Sequence, residues 1–245
     1  MASTRLANKP MLDIFGKPMI EHVYHRAKLS NLASDVIVAT CDETIYEHVL
    51  GIGGKAVMTK DNYDRSTDRI KECVEILERM GEDIDIVVNV GGDEPMIVPE
   101  MIDAAIQPLL EDTELVTSNL VAVIGNEEEL KDSNVVKCVF DVHNYAMYFS
   151  REPIPSSVKS SNEVTRYKQL SIIPFTRDFL FTYSGLLQTP CEKAESVDMM
   201  RVLEHGYRVK IVVTEHQTFS VDTEEDYMLV KGLMKGDPFL PEYAR

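Results

Sequence analysis

A chain of 245 residues, 44% hydrophobic and 27% charged, has the makings of one large domain with a sizeable core, and its formal charge of −16 argues against nucleic acid or an anionic membrane as principal partner. No apolar run approaches the ~20 residues of a membrane-crossing helix. Residues 1–10 are polar and carry Arg5 and Lys9 rather than a leader pattern, so the expected location is cytoplasmic, with Cys41, Cys73, Cys138 and Cys191 reduced.

The first periodic stretch, PMIEHVYHRAKL, sets Met19, Ile20, Val23, Tyr24 and Ala27 on one stripe with Pro18 at the first turn, which predicts a helix. DVIVAT follows as a short unbroken apolar run, the pattern of a strand covered on both faces. A helix near 43–50 and a short strand at KAVMT come next. STDRIKECVEILERM opens on Ser/Thr/Asp cap candidates and repeats Ile70, Cys73, Val74 and Leu77, so it reads as a helix leading into the strand DIVVNV. PEMIDAAIQPLLED is helical again, with a bend expected at Pro108.

After about residue 115 the rhythm changes. LVTSNLVAV, VVKCVFD, YAMYFSR and QLSIIPFT are strand-like with few helices between them, EKAESVDMMRVLEHGY is a helix, RVKIVVTE a strand, and TEEDYMLVKGLM a helix with Thr223 as its cap candidate. The polar run SSVKSSNEVTR, residues 156–166, reads as a mobile loop. The expected fold class is α/β: a mostly parallel, doubly wound sheet with a mixed or antiparallel inserted subdomain. We take residues 1–245 as a single domain with a nucleotide-binding half to 114, an insertion over 115–176, and an acceptor and metal-binding half from 177.

Chemistry concentrates at the strand tips. In parallel α/β sheets ligands sit beyond the carboxyl ends of the strands. VVNVGGDEPMI ends a strand on Gly91 and Gly92, which let the chain turn so that Asp93 projects beyond it. A carboxylate there suits Mg²⁺, which takes one or two carboxylates plus phosphate oxygens, and equally suits an acidic turn cap. TFSVDTEEDY repeats the pattern, with Asp222 either a second metal ligand or a helix N-cap. Arg5, Lys9 and Lys17 in STRLANKPMLDIFGKP are compact cations ahead of a helix start, as a triphosphate requires, and equally the makings of a basic terminus without a ligand.

Taken in order, STRLANKPMLDIFGKPMIEHVYHRA, VIVATCDE, STDRI, VVNVGGDEPMI, NVVKCVFD, YAMYFSREPIP, MMRVLEHG and VDTEEDY resemble the CMP-KDO synthetases, the 3-deoxy-manno-octulosonate cytidylyltransferases, nearly from end to end. The resemblance implies a nucleotidyltransferase fold, CTP and an acidic sugar as substrates, pyrophosphate release, Mg²⁺ and a homodimer, for which we take the mixed-strand region 115–176 as the expected interface. It also implies that Asp93 and Asp222 hold the metal and that Arg5 and Lys9 grip the triphosphate as catalytic cations. Ser66, Arg69 and Gly92 would then line the nucleotide, and Arg151, Gln169 and Asp198 the acceptor.

Departures accompany the matches. Family members carry a central strand and an IPAR segment just before the STRL stretch, where this sequence has Met1 and Ala2. Arg65 and Ser66 stand for the family's Ser-Gly, Gly91 for Gln, Gln169 and Ile173 for ring-bearing polar residues, and Asp198-Met199 for Glu-Gln. The last four of these fall on the acceptor side. Because an unmatched buried polar group costs about 1–3 kcal/mol, they point to an acceptor other than KDO, such as a related acidic sugar, an amino-substituted octulosonate or a phosphonate. An ordinary KDO enzyme of a divergent branch is the plain alternative. A non-catalytic nucleotide-binding homologue is the rival reading. A dinucleotide-binding enzyme is disfavoured because no GxGxxG opens the first helix.

Overall fold

The computed structural model describes residues 6, 8–63, 65–159 and 164–243. A 3-10 turn at Lys9–Met11 leads to the antiparallel hairpin β1 (Asp13–Ile14) and β2 (Lys17–Pro18). Its two-residue turn takes positive φ at both Phe15 and Gly16, the twist that hairpins favour. α1 (Met19–Ala27) buries the expected stripe and, in addition, Glu21, His22 and Arg26. β3 (Ile37–Thr40) passes through α2 (Glu43–Gly51) to β4 (Lys55–Met58), parallel to it; Asp42 starts α2 by accepting from the backbone N–H groups of Thr44 and Ile45. α3 (Ser66–Arg79), β5 (Ile86–Val90) and α4 (Pro99–Glu111) follow, and α4 continues through Pro108.

The remaining elements are β6 (Ser118–Val123), α5 (Glu127–Lys131), β7 (Lys137–Phe140), β8 (Ala146–Ser150), β9 (Tyr167–Gln169), β10 (Ile172–Thr176), α6 (Arg177–Gly185), α7 (Pro190–Glu195), α8 (Asp198–Glu204), β11 (Lys210–Thr214), α9 (Glu224–Leu233), a 3-10 turn at Met234–Gly236 and α10 (Leu240–Tyr243). They gather into two compact units. One comprises residues 1–84, 89–103 and 217–245, and the other residues 85–88 and 104–216.

In the first unit an apolar cluster of Ile14, Met19, Val221, Val230 and Met234 joins the hairpin, α1 and α9, with Met96, Phe219 and Leu240 packed against it. In the second, the sheet β11-β6-β9-β7-β8 is parallel only between β11 and β6 and antiparallel elsewhere. The sheet is mixed, as expected after residue 115, but its edge strand β11 comes from beyond the expected 115–176 bounds and its unit extends from 104 to 216. Phe175, Phe179 and Tyr183 pack their rings together beside it.

Four expectations change. β3 and β5 are half-buried rather than covered on both faces: among the described residues β3 pairs with β4 alone and β5 with β10 alone, and the central strand the resemblance expects is not among them. The helix expected over EKAESVDMMRVLEHGY is two, α7 and α8, because Ser196 turns left-handed at φ 53. Ser66 is the first residue of α3, and no side chain caps it. α6, unanticipated, starts where the Thr176 hydroxyl accepts from Phe179 N–H. Four of the residues in the polar run, 160–163, lie outside those described. No described helix is long and apolar enough to cross a membrane, and all four cysteines are free.

Candidate active site

The half-buried strand β5 ends at Gly91 and Gly92. A Cβ on Gly92 would stand 3.2 Å from Ile20 Cδ1, so the absent side chain lets the turn settle against α1. The chain then doubles back, with Glu94 N–H donating to Gly91 O at 3.4 Å and Ile97 N–H to Glu94 O at 3.2 Å. Asp93 sits at the head of this turn. Its carbonyl accepts from Val221 N–H at 2.9 Å, which holds the approach to α9 alongside.

There the cap and the candidate ligand separate. Thr223 is the N-cap of α9, with its hydroxyl accepting from Asp226 N–H at 3.2 Å. The Asp226 carboxylate returns to Thr223 N–H at 2.8 Å and Asp222 N–H at 3.0 Å. This capping box satisfies the exposed donors of the helix start. The Asp222 carboxylate therefore has no capping task, and it turns toward Lys9.

Lys9 opens the 3-10 turn behind Asn8, which takes the left-handed conformation, and Pro10 stiffens the turn. Its Nζ donates to Asp93 Oδ2 at 2.8 Å and to Asp222 Oδ1 at 3.0 Å, across 84 and 213 residues of chain. The two carboxylates thus face each other across one ammonium, no farther apart than those two bonds laid end to end. The lysine side chain is 13% exposed, against 32% and 42% for the two acids, so the cluster opens outward on its carboxylate side. Burial disfavours the ammonium, but the charges and hydrogen bonds of Asp93 and Asp222 outweigh it and hold its pKa above the usual lysine value.

This donor set fits Mg²⁺. Two carboxylates already gathered round a cation are the protein share that Mg²⁺ takes when phosphate oxygens and water complete the octahedron. Among the described residues no group of three or more His, Cys, Asp or Glu is placed to hold a metal by itself.

The other predicted residues fall as follows. Arg5 lies outside the described residues. Lys17 pairs with Glu21 at 2.5 Å. Ser66 accepts a hydrogen bond at 3.2 Å from Asn89 of β5, which ties the start of α3 to the strand that ends at the glycines. Arg69 braces the loop ahead of α3 through Thr59 Oγ1 at 2.6 Å and Lys60 O at 2.9 Å. Asn89 is a contributor that the sequence reading passed over; the one polar residue in IVVNV was its signal.

In the second unit, Arg151 gives its guanidinium to three main-chain carbonyls: Glu195 at 2.6 Å, Ser133 at 2.7 Å and Ser196 at 3.2 Å. Gln169 donates to Asn119 Oδ1 at 2.5 Å inside the sheet. Asp198 opens α8, and its carbonyl accepts from Tyr183 Oη at 3.4 Å. Ile173 and Met199, two of the four acceptor-side departures, are core residues at 8% and 0% exposure. Within this unit they serve packing, so they supply no argument for a changed acceptor.

A family model described as Cytidylyltransferase matches residues 1–212. The 3-deoxy-manno-octulosonate cytidylyltransferase of Fusobacterium nucleatum is 44% identical, over 96% of this chain and 93% of its own length. That of Geotalea uraniireducens is 42% identical, over 92% of both chains. The solved structure of CMP:2-keto-3-deoxy-manno-octonic acid synthetase complexed with CTP superposes with a TM-score of 0.88 at 35% identity, covering 95% of this chain and 94% of that one. The α/β class read from the sequence is the architecture the two share.

Proposed function

Because the chain belongs to the cytidylyltransferase family, we infer that it transfers CMP from CTP to 3-deoxy-manno-octulosonate and releases pyrophosphate. The observation that carries this reading to particular residues is the Lys9 ammonium held between Asp93 and Asp222. The acceptor hydroxyl forms a bond to the α-phosphorus while the bond to the departing pyrophosphate breaks. Such a displacement asks the protein for alignment and charge neutralisation more than for covalent chemistry.

Asp93 and Asp222 would hold Mg²⁺, which when bound neutralises phosphate oxygens and draws the two substrates together. Lys9, a compact cation on a buried stem, then has phosphate oxygens as alternative partners to the carboxylates. It steadies the negative charge that builds on the leaving pyrophosphate, with Arg5 as its neighbour in sequence. Ser66, Arg69 and Gly92 line the nucleotide in this proposal, and Arg151, Gln169 and Asp198 belong to the acceptor side. A homodimer through the mixed sheet, whose edge strand β8 has one neighbouring strand among the described residues, and a cytoplasmic setting, consistent with four free thiols, complete it.

The test is pyrophosphate release from CTP and Mg²⁺ with 3-deoxy-manno-octulosonate, alongside an amino-sugar acid and a phosphonate. Turnover with the octulosonate that disappears in Asp93→Asn and Asp222→Asn is expected. Turnover only with another acid would replace the acceptor, and undiminished turnover in both variants would remove the assigned centre.

A further inference from the structure

The polar side of α1 is buried with no role in the chemistry so far described. Arg26 and His22 are wholly inaccessible, and a buried guanidinium is costly unless each of its donors is met. Arg26 Nη1 donates to Ile97 O at 3.0 Å, and Nε to Tyr243 Oη at 3.1 Å. Nη2 lies 2.6 Å from Asp237 Oδ2 as an ion pair off the hydrogen-bond axis. The rings of Phe239 and Tyr243 flank the guanidinium at 5.6 and 6.0 Å.

His22 extends the network. Its Nε2 must donate to the Ile14 carbonyl at 2.8 Å, which leaves Nδ1 to accept from the Tyr243 hydroxyl at 3.0 Å. That hydroxyl in turn accepts from Arg26, so both ring nitrogens of His22 and the Tyr243 hydroxyl are partnered in the neutral imidazole.

The far ends of these bonds matter most. Ile97 closes the turn headed by Asp93. Asp237 ends the helical leg that begins beside Asp222. Ile14 belongs to the hairpin that follows Lys9. One side of one helix thus moors the three chain segments that carry the three charged groups.

We propose that Arg26 is a positioning residue for the Lys9–Asp93–Asp222 centre, acting through the carboxy-terminal segment 237–243 to set the spacing of the two carboxylates. This rests on the reading of that centre as the metal site. A group that sets ligand spacing governs divalent-ion affinity, whereas a mere staple governs stability alone; outer partners of metal ligands are typically worth about 10- to 100-fold in affinity.

The experiment compares full-length Arg26→Lys, Asp237→Asn and Tyr243→Phe with Asp93→Asn. Mn²⁺ binding in the presence of CTP is read by electron paramagnetic resonance, CTP binding without metal by calorimetry, and melting temperature by circular dichroism. We expect Mn²⁺ affinity to fall roughly 10-fold in Arg26→Lys and Tyr243→Phe, with metal-free CTP affinity unchanged. Lowered melting with wild-type Mn²⁺ affinity overturns the proposal. Should Arg26→Lys not fold, Tyr243→Phe and Asp237→Asn decide it by the same criterion. Loss of Mn²⁺ in Asp93→Asn but not in the others refutes the positioning role alone; wild-type Mn²⁺ affinity in Asp93→Asn refutes the metal centre and this inference with it.

Discussion

Replacing Lys9 by methionine keeps the stem and removes the cation that separates Asp93 from Asp222. In the wild type two ion pairs, at 2.8 and 3.0 Å, hold those carboxylates together at a partly open surface. At 32% and 42% exposure the acids are well screened, so each pair contributes at the upper end of the surface range, about 1 kcal/mol, and far below its low-dielectric limit. Loss of both, with some repulsion left behind, gives a destabilisation of about 2 kcal/mol, or roughly 4–8 °C in a protein of this size. Mg²⁺ can occupy the vacated position, so it should raise the melting temperature of Lys9→Met more than that of the wild type. Differential scanning calorimetry with and without millimolar Mg²⁺ reads both effects, and turnover should drop about 10²- to 10³-fold as a charge donor is lost. Equal Mg²⁺ shifts in the two proteins would mean that ammonium and metal do not share a place, and the reasoning would fail.

Other outcomes follow from neighbouring contacts. Arg151→Lys cannot reach three carbonyls at once, so melting should fall by about 1–3 kcal/mol equivalent; an accompanying rise in acceptor KM would establish its substrate role, and its absence a purely structural one. Ser66→Gly deletes the acceptor for Asn89 and should shift CTP KM modestly while kcat holds, measured by steady-state kinetics. Acidification should weaken the α1 network. Burial, chiefly, lowers the pKa of His22 and of His25 below the ordinary 6.5, against the pull of Glu21. Glu21 is also lowered: burial opposes this, and the hydrogen bonds of Lys17 and His48 outweigh it. All three folded pKa values lie below their unfolded ones, so their stabilisation is complete above about pH 6.5 and drains as pH falls through the folded values. Melting temperatures from pH 7.5 to 5 should decline, with a shallower slope in His22→Gln.

Local chemistry made most elements legible. Alternating apolar strands and striped helices carried the first unit, and the Thr223–Asp226 box is visible in TEED as a cap three residues ahead of an acid. α6 escaped because FLFTY has the β-branched and aromatic content of a strand; its helical form is decided by burial of Phe179, Leu180 and Tyr183 on one side. The break at Ser196 escaped because serine seldom turns left-handed and only tertiary context imposes it. Within the site, Asp93 was recognisable at its strand tip and Asp222 just ahead of a helix, but their meeting across more than a hundred residues was not written in any spacing. Motif order against a known family supplied that pairing. The role of Arg26 was invisible for a related reason: a lone arginine on a striped helix looks solvated until the segment that covers it is in place.

The first unit is built from three stretches of chain, and the centre draws one charged group from each. A nascent polypeptide emerging from the ribosome can present Lys9 and Asp93 early, yet it has nothing to set opposite them until residue 222 has been made. The second unit can finish its own sheet during that interval, since all its strands are complete by Thr214. On the proposed reading, triphosphate capture would thereby be deferred to the final stage of synthesis, since an unfinished copy would lack the second carboxylate of the pair.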